Sequence, residues 1–202
     1  MLKKYLNTLS GAVLLGLLLL TSTAHTAGFH YQLNLTAKLA ALPDGKVNGV
    51  EMSWVYDPVL SATLMDGEDL SEANRAETLK RRAADILDGL LEMNYFTTIY
   101  LNKALVTTEK VEKYNLQLTD SGQLQLNLTL PFSEAKTLNG RLLEVVVSDP
   151  TAIGLATFLS ADRFILDSAL EPICRQPTLE QKQLGEMDGH VLLSETMTID
   201  CR

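Results

Sequence analysis

From Phe29 onward the chain alternates. Phe29, Tyr31, Leu33, Leu35, Ala37 and Leu39 occupy every second position between polar or small residues, which is the period of a half-buried strand. Pro43, Asp44 and Gly45 mark a reversal, and Val50, Met52, Trp54 and Tyr56 then resume the alternation. The two runs predict a long antiparallel hairpin that ends at Asp57 and Pro58. The segment VLSATLMDGEDL, residues 59–70, reads as a short helix. After it the period changes: Ala76, Leu79, Ala83, Ile86, Leu87 and Leu90 recur at spacings of three and four. That stripe predicts an amphipathic helix over Ser71–Glu92, with Ser71 as N-cap, acidic residues in the first turn, and Lys80 and Arg81 on the solvent side.

Period-two patterns return in YFTTIYLNKALV (95–106), EKYNLQLT (112–119) and QLQLNLTLPF (123–132), the last two joined by a turn at Asp120–Gly122. RLLEVVVSDP (141–150) is a more continuous apolar run and is expected at the centre of a sheet. DRFILDS (162–168) and LLSETMTIDC (192–201) complete the strands. The intervening PICRQPTLEQKQLGEMDGH (172–190) is rich in polar and turn residues and reads as a loop. Strands paired with their neighbours, plus one main amphipathic helix packed on a sheet, predict an antiparallel, β-rich, sandwich-like α+β domain.

Ahead of this domain lies a different pattern. Lys3 and Lys4 precede the apolar run GAVLLGLLLL, Gly11–Leu20. Ten residues are too few for a bilayer core, which needs roughly 20 residues of helix, and no stop-transfer pattern follows. Residues 1–24 therefore read as a cleaved signal peptide, with Ser22 and Ala24 as the small residues before the cut. Residues 25–202 form a single mature domain beginning at His25, expected in the periplasm. The whole chain carries a formal charge of −8, and loss of the leader's two Lys leaves 15 basic against 25 acidic side chains, net −10. Nucleic acid is excluded as a partner on this balance, because its binding relies on neutralising phosphates with Lys and Arg. Nothing later in the sequence is apolar for long enough to be a membrane helix. Cys174 and Cys201 are the two cysteines. In an oxidising compartment they predict a disulfide closing 27 residues, worth about 3 kcal/mol in the chain-entropy picture.

Catalytic signatures do not emerge. GxSxG, Walker, GxGxxG and HExxH motifs are absent, and no Ser has the local context of a nucleophile, so the expectation is a non-enzyme. In MDGEDLSEANRAE, Asp66, Glu68 and Glu77 match three calcium-loop positions, but Leu70 and Ser71 stand where an oxygen ligand and the turn Gly are required. Among the three His, His190 sits beside Asp188 and Gly189. Cleavage after Ala24 would leave His25 with a free amine and a neutral imidazole, a chelating pair for borderline metals, with His30 five residues on.

The succession of WVYDP (54–58), NYFTTIYLNK (94–103), QLQLNLTLPF and EVVVSDP (144–150) resembles the bacterial family of domain of unknown function 1007. The resemblance implies an exported protein of the kind labelled a periplasmic component of an ABC-type transport system, some of whose members neighbour nickel, cobalt or zinc transport genes. It carries over His30, Asp57 and Asp149 as candidate ligands to add to His25. The family's His-Pro-His start is replaced here by HTAGFHYQL. Two readings are open. One is a periplasmic binding or accessory protein of a transport system, extending to a divalent transition metal (Zn, Ni or Cu) held by His25, His30, Asp57 and Asp149. The other is a non-catalytic structural or interaction module docking a membrane transporter or another envelope protein through a sheet face or edge.

Overall fold

The computed structural model describes residues 29–202, so the expected leader and His25 lie outside the described residues. Strands β1 (Tyr31–Leu39) and β2 (Val47–Tyr56) form the expected antiparallel hairpin, with Leu35 opposite Trp54. Helices α1 (Pro58–Leu64) and α2 (Arg75–Leu91) follow, then β3 (Thr97–Leu101), β4 (Ala104–Leu105), β5 (Tyr114–Leu118), β6 (Leu124–Lys136) and β7 (Leu142–Val147). The chain closes with β8 (Gly154–Thr157), β9 (Phe164–Leu166), β10 (Thr178–Met187) and β11 (His190–Asp200). These strands make two sheets. One runs β5-β6-β2-β1-β8, with β9 also pairing β1, and the other runs β10-β11-β7-β3-β4. The apolar run of β7 does lie inside its sheet, between β11 and β3.

The alternating strands turn one face inward. Leu33, Leu35 and Trp54 of the first sheet, Ile99, Val145 and Met197 of the second, and Leu79, Ala83, Leu87 and Leu90 of α2 belong to one buried apolar cluster. Removing such side chains from water contributes about 1.5–3 kcal/mol each and drives the packing. Trp54 stacks parallel to Phe96 at 6.0 Å between ring centres. Lys80 and Arg81 are exposed, as the helical stripe requires.

Four expectations are corrected. Helix α2 begins at Arg75 rather than Ser71, and Asn74 in the N-cap position makes no side-chain cap bond. The Asp69 carboxylate instead accepts from Ser71 N and Asn74 Nδ2, folding those residues into a turn that takes up the cap-type side chains. On the helix itself Ala76 is exposed and Thr78 is buried, its hydroxyl donating to Asp69 O at 2.9 Å. The first sheet is mixed, since β8 and β9 run parallel to β1. Strand β9 falls inside the predicted strand DRFILDS, whereas the four-residue β8 is too short for an alternation to show; the direction in which either strand pairs is not carried by periodicity.

The fourth correction is β10. The segment read as a polar loop is a ten-residue strand antiparallel to β11, with no residue of β10 fully buried. An outer strand with solvent on both faces has no reason to alternate, so the hydrophobic signal is missing. Its turn is nevertheless written in the sequence: Asp188 (φ 51°) and Gly189 (φ 83°) are both left-handed, as a two-residue type I′ hairpin requires. The Cys174–Cys201 disulfide forms as expected and ties the foot of this hairpin to the chain that leads into it.

Candidate functional site

Asp57 and Asp149 each end a strand, and each is engaged by its own surroundings. Asp57 is the N-cap of α1: its Oδ1 accepts from Leu60 N at 2.8 Å and its Oδ2 from Gln32 N at 2.6 Å. Pro58 at the first helical position suits that cap, because the donor it lacks would have been an orphan there. Asp149 is 2 % exposed. Its Oδ1 accepts from Thr151 N and Thr151 Oγ1, and its Oδ2 from Gly154 N at 2.8 Å and Tyr31 Oη at 2.6 Å. Burial, and after it the hydrogen bond to Asp149, pushes the Tyr31 phenol well above its ordinary value, so the hydroxyl stays a donor. A Cβ at Gly154 would overlap the Tyr31 ring, so a side chain there would displace this contact. Four donors converging on one buried carboxylate make a clamp that fixes the start of β1 against the turn between β7 and β8.

His30 lies one residue before β1 and is exposed; its backbone N donates to Ile153 O at 2.8 Å. Its ring meets His190, the first residue of β11, edge to face at 5.0 Å between centres. His190 Nδ1 is buried and has no hydrogen-bond partner. The structure thus brings His30 to the one other described histidine and not into a three-ligand group with Asp57 and Asp149. Among the described residues no group of three or more His, Cys, Asp or Glu side chains is placed to hold a metal ion. His190 was missed as a partner because the turn that delivers it was read as loop; the Asp-Gly pair was the signal that could have found it.

A family model matches residues 13–156. The chain belongs to the family described as protein of unknown function, DUF1007. Comparison with curated proteins and with solved structures returns no match. The DUF1007 match takes in His30, Asp57 and Asp149 and stops short of β9, β10, β11 and the disulfide. His190 therefore stands on the part of this chain beyond the family match.

Two further polar features sit inside the fold. Glu195 of β11 is 2 % exposed. It accepts from Thr157 Oγ1 at 2.7 Å, Phe158 N at 2.7 Å and Gln181 Nε2 at 3.1 Å, which joins β11 and β10 to the end of β8 in the other sheet. These donors give both carboxylate oxygens hydrogen-bond partners. The other feature is an apolar cleft of about 290 Å³ under the two helices, walled by Leu33, Trp54, Tyr56, Ile86 and Leu90. Trp54 Nε1 and Tyr56 Oη are buried without partners. Among the described residues no helix is long and apolar enough to cross a membrane.

Proposed function

We propose that this is an exported, non-catalytic binding or accessory protein of a periplasmic transport system. It holds a borderline divalent metal, of the Zn, Ni or Cu kind, between His30 and His190, with the mature His25 as the third donor. The leader pattern and the disulfide support export, since disulfides persist in oxidising compartments. The sandwich-like packing of the two sheets supplies a rigid frame with the two imidazoles at one end.

The observation that carries the metal reading is the His30–His190 pair. Two imidazoles sharing one ion through bonds of about 2 Å at a tetrahedral angle hold their ring centres roughly 5 Å apart; these stand 5.0 Å apart edge to face, so the exposed His30 ring has to turn about its side-chain bonds to aim an in-plane nitrogen at the ion. The buried Nδ1 of His190 has no hydrogen bond to give up. Imidazole donors suit zinc, nickel and copper, whereas calcium and magnesium want oxygen. Asp57 and Asp149 are replaced as ligands in this reading because their oxygens are already engaged.

The test is calorimetric titration of the correctly processed protein with zinc, nickel and copper salts, beside the double variant His30→Ala with His190→Ala. Saturable binding by the parent that the double variant loses is expected, and it weakens on acidification because only the neutral ring ligates. Equal binding by both proteins, or none by either, removes the metal. A chain with one extra residue ahead of His25 reports separately on the terminal amine.

A further inference from the structure

Among the described residues, only one sheet edge is long and uncovered. Edge strand β5 packs against α2, β4 has two residues, and β8 and β9 have four and three. Strand β10 runs for ten residues, and nine of them are exposed. An open edge of this kind presents a row of unpaired backbone N–H and C=O groups, and it pairs with another strand unless something blunts it. The blunting here is local. Leu184 is the extra residue of a bulge between Gln183 and Gly185, where the register with β11 shifts. Residues 178–183 keep a regular ladder to β11, so they offer a regular outer edge.

We propose that this edge pairs with the same edge of a second copy, antiparallel about a two-fold axis midway between the two copies of Gln181, joining two five-stranded sheets into one. A two-fold axis perpendicular to the sheet keeps each side chain on its own face, so residues that pair must differ by an even number. Every residue-centred axis meets that condition, and three of them bring the charged middle of the regular stretch together. Centring on residue 180 sets Glu180 against Glu180, and centring on residue 182 sets Lys182 against Lys182; both juxtapose like charges, which is unfavourable. Centring on Gln181 sets Glu180 opposite Lys182 twice, on the same face, and Leu179 opposite Gln183. Glu180 and Lys182 are both exposed, and neither takes part in a salt bridge among the described residues. The edge is therefore complementary to itself in one register, and the register spans residues 179–183, just inside the bulge. Glu180 and Lys182 play no part in the metal reading, so this inference stands apart from it.

Sedimentation equilibrium of the processed protein over about 1–500 μM tests it, that range covering weak self-association. A monomer–dimer equilibrium is expected. Glu180→Lys and Lys182→Glu, each of which turns two attractive cross-strand pairs into two repulsive ones, should raise the dimer dissociation constant about ten-fold or more. The double variant E180K with K182E restores opposite charges and should return to within about three-fold of the parent by the same reasoning. Thermal melts that match the parent confirm that the variants are folded, which the exposure of both positions leads us to expect. A protein that stays monomeric over the whole range overturns the proposal. So does a dimer that neither single substitution weakens, and so does a double variant that fails to recover.

Discussion

The two aspartates and the two histidines gathered near the start of β1 are a study in spent and unspent capacity. Asp149 collects four hydrogen bonds in a site 2 % exposed, and Asp57 collects two as a helix cap. His190 Nδ1 has none, and His30 faces solvent beside it. All but His190 fall at strand ends within the stretch shared with the family, and by residue type alone all four are metal ligands. What separates them is whether the fold already uses their lone pairs. A carboxylate saturated by backbone and hydroxyl donors holds the structure together. An imidazole with a nitrogen left over has something to offer a ligand.

That division sets the sizes of the effects. Asp149→Ala leaves Tyr31 Oη, Gly154 N and both Thr151 donors without their acceptor, and a loss of about 4 kcal/mol in unfolding free energy is expected, since each stranded buried donor costs about 1–3 kcal/mol. Urea denaturation measures it; a loss below about 1 kcal/mol would place Asp149 with the histidines, as a group the fold does not need. Next comes the disulfide. Replacing Cys174 and Cys201 together by Ala should cost about 3 kcal/mol, the closure entropy of the 27-residue separation. Because the bridge ties down the foot of the β10–β11 hairpin, hydrogen exchange should speed up there more than in β2 or β6. Uniform acceleration would mean that the hairpin and the body unfold as one unit.

The smallest effect is the sharpest contrast. His30→Ala and His190→Ala should each change stability by no more than about 0.5 kcal/mol, as substitutions away from the supporting contacts do, while abolishing the proposed metal binding. A large stability loss with unchanged binding would reverse the assignment of roles between the two pairs.

The hairpin of β1 and β2, the solvent face of α2, the central place of β7 and the disulfide were all legible in the sequence, because each is written in periodicity or in a lone pair of cysteines. Both helices were foreseen, α2 with its start misplaced by four residues, since Ser71 is a cap by residue type but Asp69 draws it into a turn. Strand β10 was not legible as a strand, since nothing about an exposed edge forces Glu180 or Gln183 to alternate with apolar residues. The His30–His190 contact was illegible for a related reason. It spans 160 positions and depends on a hairpin whose turn, Asp188–Gly189, was the only trace left in the sequence. The occupation of Asp149 depends in turn on Tyr31, 118 positions away.

The chain has a single tryptophan, Trp54, which is fully buried between the β1–β2 hairpin and α2 and stacks on Phe96. Its emission is therefore a private optical channel to the helix–sheet interior, with no competing indole elsewhere. Unfolding of the body should shift that emission to the red as water reaches the ring, whereas fraying of the β10–β11 hairpin at its Asp188–Gly189 end should leave the colour unchanged. A small molecule entering the cleft walled by Trp54 would alter the intensity without the red shift. One fluorophore, already in place, distinguishes a protein that has come apart from one that has only loosened its outer arm.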